Sequence, residues 1–150
     1  MNDLEIRPAT AADIPAIVAM LAADSVAAGR ETPDDLAPYY AAWERVAADA
    51  NQHLTVATRG GRVVGTLQLS VIPGLSRTGT TRAIVEAVRV HADERGHGLG
   101  TVLMDWAVER AGELGCSLVQ LTSDRSRTDA HRFYEKLGFT GSHIGFKKQL

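Results

Sequence analysis

Cysteine is nearly missing from this chain of 150 residues: Cys116 stands alone, which excludes an internal disulfide and any zinc site built from several cysteines. Its apolar neighbours mark it as a plain core thiol. Aromatic residues make up only 5% of the chain, and no block of lysine or arginine accompanies them, so no nucleic-acid partner is expected. Neither sign of charge dominates, with 18 acids against 16 bases. No apolar stretch reaches bilayer length before a charge or a glycine interrupts it. The amino terminus lacks a basic region followed by an apolar one, so the expectation is a cytoplasmic protein with no membrane partner. Repeats and low-complexity segments are missing too. No histidine pair has metal-ligand spacing, so no metal is expected, His131 and Asp129 being the nearest approach to a pair.

What remains is an ordinary globular balance, 45% hydrophobic and 23% charged, enough for a single domain over residues 1–150 with a full core. Leu4 to Arg7 alternates like a strand, and Thr10 or Asp13 can cap a helix carrying Ile14, Ile17, Val18 and Leu21. Leu36, Tyr39, Tyr40, Trp43 and Val46 recur at helical spacing after a polar loop. His53 to Thr58 and Arg62 to Val71 flank Arg59, Gly60 and Gly61, which reads as a hairpin. A mobile connection from Leu75 to Thr81 leads to a strand over Ala83 to Val90. In that strand Ile84, Glu86, Val88 and Val90 share one face, and Val85, Ala87 and Arg89 the other. From Gly98 a helix carries Leu99, Val102, Leu103, Trp106, Ala107, Ala111 and Leu114 on one apolar face. Leu118 to Thr122, Asp129 to Leu137 and Ser142 to Lys148 then read as strand, helix and strand. The order is βααβββαβαβ, a mixed α/β (α+β) domain.

The segment Arg95, Gly96, His97, Gly98, Leu99, Gly100 lies between a strand and an amphipathic helix. Glycine there lets the backbone approach phosphate oxygens while the first helical N–H groups point at them, and Arg95 adds charge. A plain tight turn fits the same glycines. A dinucleotide fold is the other rival, with Asp124 about 20 residues on as its ribose acid. Against it, the third glycine comes one position early, His91 to Glu94 separate strand from loop, and antiparallel-looking strands precede the unit.

VRVHADERGHGLG followed by DAHRFYEKLGF resembles the GNAT superfamily of coenzyme A-dependent N-acetyltransferases, and the order of elements resembles that fold along the chain. Within it, the carboxy-terminal part is similar to aminoalkylphosphonate acetyltransferases and the stretch from Val85 to glucosamine phosphate acetyltransferases. The resemblance implies a twisted, mixed, mostly antiparallel sheet splayed between strands 4 and 5 and flanked by about four helices. It implies acetyl-CoA as co-substrate, held by the backbone of Val88, Arg89 and Val90 as an added strand. The pyrophosphate would lie on Arg95, Gly96, His97, Gly98, Leu99, Gly100 and Thr101, with Arg127, His131 and Tyr134 as further contacts. Arg127 departs from the asparagine that many members carry.

Transfer to an amine needs a base for the amine's proton and a donor for the leaving thiolate. The resemblance points to Glu86 and Tyr134; a phenol of pKa about 10 can protonate a thiolate whose thiol has about 8.5. It also points to an oxyanion held by an N–H near Val88. The acceptor, a small primary amine, is expected near Glu31, Tyr39, Arg77 and Glu86, acids suiting a cation and arginines a phosphate or phosphonate. Packing alone also accounts for Tyr39, Trp43 and Val46. Two other functions fit less of the sequence: a non-catalytic acyl-CoA sensor or partner-binding module, and a nicotinamide-dependent reductase. An exposed final strand would allow a homodimer.

Overall fold

The β-branched residues of the central segment form a hairpin, β2 (Gln52–Arg59) and β3 (Arg62–Ile72). Gly60 and Gly61 close it with φ of 57° and 80°, the left-handed pair that a two-residue hairpin turn demands. The computed structural model describes residues 3–26 and 28–150. These fall into two compact units, one ending at Gln120 and the other running from Leu121 to Leu150.

In the first unit β1 (Leu4–Pro8), β2, β3, β4 (Arg82–Val90) and β5 (Leu118–Gln120) form one sheet in that order. All neighbours are antiparallel except β4 and β5, which run parallel. Pro8 sits at the end of an edge strand, where its missing N–H costs no ladder bond. Period-two alternation along β3 sends Gly65, Leu67 and Leu69 to one face. There α4 (Leu99–Glu113) packs, burying Leu99, Leu103, Met104, Ala107 and Ala111. A methyl group at Gly65 would meet Leu103 Cδ1 at 2.9 Å, so this glycine is what lets strand and helix approach. The opposite face carries α1 (Ile14–Ala22) and α2 (Ala37–Ala48), where Ala9, Ile14, Ile17, Val18 and Val56 pack with Tyr39, Trp43 and Leu54.

The entry to α1 is held by a buried carboxylate. Asp13 accepts two bonds from the Arg7 guanidinium, at 2.7 and 3.0 Å, and one from the Thr10 N–H at 2.7 Å. The Arg7 bond, ahead of the smaller Thr10 contributions, holds its pKa below the usual carboxylate value against the opposing effect of burial. A depressed folded-state pKa contributes stability that is fully present above about pH 4, the unfolded value, and is lost as pH falls through the folded one. Asp13→Asn is therefore expected to cost about 1.5–3 kcal/mol at pH 7. The gap from wild type should close in chemical denaturation curves taken below pH 4.

Two expectations of the first unit need correction. The connection from Leu75 to Thr81 contains a hydrogen-bonded turn, α3 (Ser76–Gly79), in which Arg77 and Thr78 adopt left-handed φ of 53° and 63°. The alternation along β4 is broken by a bulge. Thr66 pairs with Arg89 and Gln68 with Glu86, leaving Ala87 and Val88 opposite Leu67, and Ala87 takes a φ of 54°. One extra residue reverses the phase of everything after it. Glu86 and Arg89, assigned by alternation to opposite faces, thus share the face of Gln68 and Thr66.

The second unit holds α5 (Thr128–Lys136). The strand expected over Ser142 to Lys148 is not formed. A strand exists only through a ladder partner, and here Ile144 and Phe146 are 65% and 91% exposed around Gly145. The dimer pairing built on that strand loses its element.

Candidate active site

Strand β4 ends in a short 3₁₀ turn, Ala92–Glu94, and Arg95 to Gly98 then lead into α4. Gly96 and Gly98 have φ of 79° and 83°, a backbone that side-chain-bearing residues adopt only with strain. The segment from Arg95 to Gly98 is exposed, whereas Leu99 is buried, so an exposed glycine run is seated on an anchored helix. The first α4 carbonyl bond comes from Val102 to Gly98 at 3.2 Å. The N–H groups of Leu99, Gly100 and Thr101 precede it at the positive end of the helix dipole. The preceding turn is tied to the β2–β3 hairpin by Arg59 on Glu94 (3.3 Å) and Arg62 on Asp93 (3.0 Å). Neither pair was foreseen, because partners so far apart in sequence leave no local pattern.

Strand β4 pairs with β5 only from Arg82 to Ile84. The rest, including Val88, Arg89 and Val90, runs on past the end of β5, so the sheet is splayed there. The His91 N–H donates to Val64 of β3 at 2.8 Å. Alternation therefore turns the backbone groups of Val90 to the edge away from β3.

Arg89 does more than continue the strand. Its guanidinium donates to the Val88 carbonyl at 2.9 Å and pairs with Asp24 at 2.8 Å, the two side chains being 18% and 6% exposed. Asp24 also accepts from the Val26 N–H at 3.0 Å. The bulge and the α1–α2 connection are thus clasped together, an arrangement that unbroken alternation concealed.

Glu86 is exposed on the same face. A cavity of about 150 Å³ lies on that face, and its wall includes Ile17, Leu21, Tyr39, Trp43 and the bulge residue Ala87. Tyr39 donates its hydroxyl to the Glu31 carboxylate at 3.2 Å and accepts from the Thr32 N–H at 2.8 Å. The structure therefore brings Glu31 and Tyr39 together. Arg77 is exposed on the left-handed turn and is no part of the cavity wall. Tyr39 and Trp43 pack against the buried cluster, as the core reading expects, and with Val46 they also line this space.

In the second unit Asp124 accepts from the Ser126 N–H and hydroxyl at 2.9 and 2.7 Å. The residue that a dinucleotide fold would turn to a ribose is committed to a local turn, and those bonds hold its carboxyl below the usual range. His131 Nε2 lies 2.8 Å from the Asp124 carbonyl, and Arg127 precedes the first turn of α5. Tyr134 stands edge-on to both Phe133 and Phe139, with ring centroids 5.1 and 6.0 Å away.

Cys116 is half-buried and burial pushes its thiol up, in line with an unreactive thiol. Among the described residues, no group of three or more His, Cys, Asp or Glu is placed to hold a metal ion, and no helix is long and apolar enough to cross a membrane.

Residues 16–139 match the model of the acetyltransferase (GNAT) family. The chain belongs to that family. The aminoalkylphosphonate N-acetyltransferase of Salmonella typhimurium is 38% identical over 102 residues, covering 68% of this chain and 66% of that enzyme. The glucosamine 6-phosphate N-acetyltransferase of Trypanosoma brucei brucei is 38% identical over 79 residues, 53% of this chain and 52% of that one. The chain thus spans between half and two thirds of these relatives. Over its whole length the GNAT chain resembles a crystal structure described as a transcriptional regulator from Bacillus halodurans. That structure is 44% identical with a TM-score of 0.95, the match covering 98% of this chain and 99% of that one.

Proposed function

We propose that this GNAT chain transfers an acetyl group from acetyl-CoA to the primary amine of a small molecule by direct attack in a ternary complex. The observation that carries the reading is β4, which outruns β5 beyond Ile84 and leads into the exposed glycine turn at the head of α4. A free strand edge suits the amides of a pantetheine arm, and N–H groups at a helix start suit a pyrophosphate. We assign the first to Val88, Arg89 and Val90 and the second to Arg95, Gly96, His97, Gly98, Leu99, Gly100 and Thr101. The family match runs from residue 16 to residue 139 and so draws on both units, which supports one functional domain over residues 1–150.

Acetyl-CoA, when bound, supplies the activated acyl carbon. Glu86 takes the proton that the acceptor's ammonium must lose before its lone pair can form the new C–N bond. The Val88 N–H, displaced from regular pairing by the bulge, is the donor for the carbonyl oxygen. As the C–S bond breaks, Tyr134 gives its proton to the thiolate. Arg127 and His131 are assigned to the coenzyme by family resemblance, and Glu31 and Tyr39 to the acceptor. Arg77 stands on an exposed turn outside the cavity wall and has no role in this reading.

Acetyl-CoA at 100 times its Kd is expected to add about 2.7 kcal/mol of stability, a rise in Tm of roughly 5–10 °C. Free thiol should appear when an amine is added. A flat melting curve with acetyl-CoA removes the reading. A second reading, a binding module without turnover, draws on the Bacillus halodurans structure described as a transcriptional regulator. It predicts the same thermal shift with no thiol release for any amine.

A further inference from the structure

The cavity beside the β4 bulge is chemically one-sided. Its wall is mostly aliphatic and aromatic, with Thr66 and Gln68 as polar members, and no lysine or arginine is among the described residues that line it. Both polar members are already engaged: the Thr66 hydroxyl donates to the Thr55 carbonyl at 2.8 Å, and the Gln68 amide donates to Gln52 Oε1 at 2.8 Å. A space of this size with an apolar wall offers water too few partners and accepts a group as large as a benzene ring. The cation beside the bulge on this face, Arg89, is already paired with Asp24 at 2.8 Å, so the charge left beside the cavity is negative. The Tyr39 hydroxyl carries Glu31 at 3.2 Å, and Glu86 precedes Ala87 of the wall.

We propose that this cavity takes the apolar group of the acceptor, so that the substrate class is a primary amine bearing a branched-alkyl or aryl group of about four to six carbons. The ammonium then lies toward the carboxylates, and the bulge places it where transfer is proposed. This deepens the acetyltransferase reading and rests on it for the identity of the reaction. It also separates the chain from relatives whose names specify phosphonate or phosphate substrates, groups that such a wall would desolvate without a counter-charge.

The test uses the whole chain in two arms. In the first, thiol release from acetyl-CoA is followed with ethylamine, butylamine, isoamylamine, benzylamine, aminoethylphosphonate and glucosamine 6-phosphate. The specificity constant kcat/KM should rise about threefold to fourfold per methylene until the cavity is full, and the two phosphorus compounds should lag behind isoamylamine. Ala42→Leu, which narrows the cavity from α2, should lower the preference for isoamylamine over ethylamine at least tenfold. A flat amine series, or a phosphonate or sugar phosphate preferred, overturns the proposal, as does a preference for longer acyl donors that leaves the amine series flat.

The second arm needs no donor. In Trp106→Phe protein the remaining indole, Trp43, lines the cavity. Isoamylamine alone should shift its emission saturably, and adding Ala42→Leu should abolish the shift. Saturable binding here with no turnover in the first arm would overturn the catalytic reading and keep the cavity's specificity. Turnover without a fluorescence response and without chain-length dependence would do the reverse.

Discussion

Arg89→Met is expected to destabilise the protein by about 3–5 kcal/mol, lowering its Tm by roughly 6–20 °C. The magnitude comes from what is left behind. Asp24, 6% exposed, would lose the guanidinium 2.8 Å away, the counter-charge of a buried carboxylate, which neutral N–H donors such as that of Val26 do not replace. Methionine retains much of the aliphatic stem, so lost packing contributes little. Asp24→Leu in the same background removes the stranded charge and should recover most of the loss, because a buried ion pair and a well-packed apolar pair are often close in stability. A double variant no more stable than Arg89→Met would locate the effect in packing. Arg89→Met also releases the Val88 carbonyl, so KM for acetyl-CoA should rise in the double variant even where its Tm recovers.

That pair also marks where the sequence stopped being legible. The hairpin at Gly60 and Gly61, both helices α1 and α2, and the helix behind the glycine turn were all readable. Each is specified locally, by periodicity or by a turn that only certain residues can make. The glycine turn was legible for a different reason, a conformational requirement that few residues satisfy, whereas the FY motif was read from family resemblance. The bulge at Ala87 was not readable, because valine, alanine and arginine in alternation look the same whether or not one residue is extra. Only the partner strand, with Leu67 opposite two residues, defines the count. From that hidden phase change follows the Arg89–Asp24 clasp, which puts Arg89 on the face that already carries Glu86.

The final strand was misread in the opposite direction. His143, Ile144, Gly145 and Phe146 carry a strand-like alternation, but no neighbour in the second unit offers a ladder among the described residues, and Gly145 weakens what preference there is. Local pattern is sufficient for a helix, whose hydrogen bonds are internal, and insufficient for a strand, whose bonds belong to another segment. The acceptor's surroundings were only half legible. Tyr39 and Trp43 read first as core residues and do pack against the buried cluster, while a void among apolar side chains leaves no mark on a sequence.

Tyr134→Phe is expected to lower kcat by about 10²–10⁴, the range for loss of a positioned proton donor. Its stability cost should not exceed that of one hydrogen bond, about 0.5–1.5 kcal/mol. Phenylalanine preserves both edge-on contacts, to Phe133 at 5.1 Å and to Phe139 at 6.0 Å, so the variant isolates the hydroxyl. The KM for acetyl-CoA should move little, since an interaction used only as the thiolate departs affects turnover more than binding. The decisive measurement changes the leaving group. An acetyl thioester of a more acidic thiol needs less help from a proton donor, so the gap between wild type and the Tyr134→Phe variant should shrink with it, whereas a defect in orienting the substrate would persist for every thioester. If kcat is unchanged in Tyr134→Phe with acetyl-CoA, the proton comes from elsewhere. Glu86→Gln then distinguishes a general-base step, which would still be slowed, from a site that binds coenzyme A and does no chemistry.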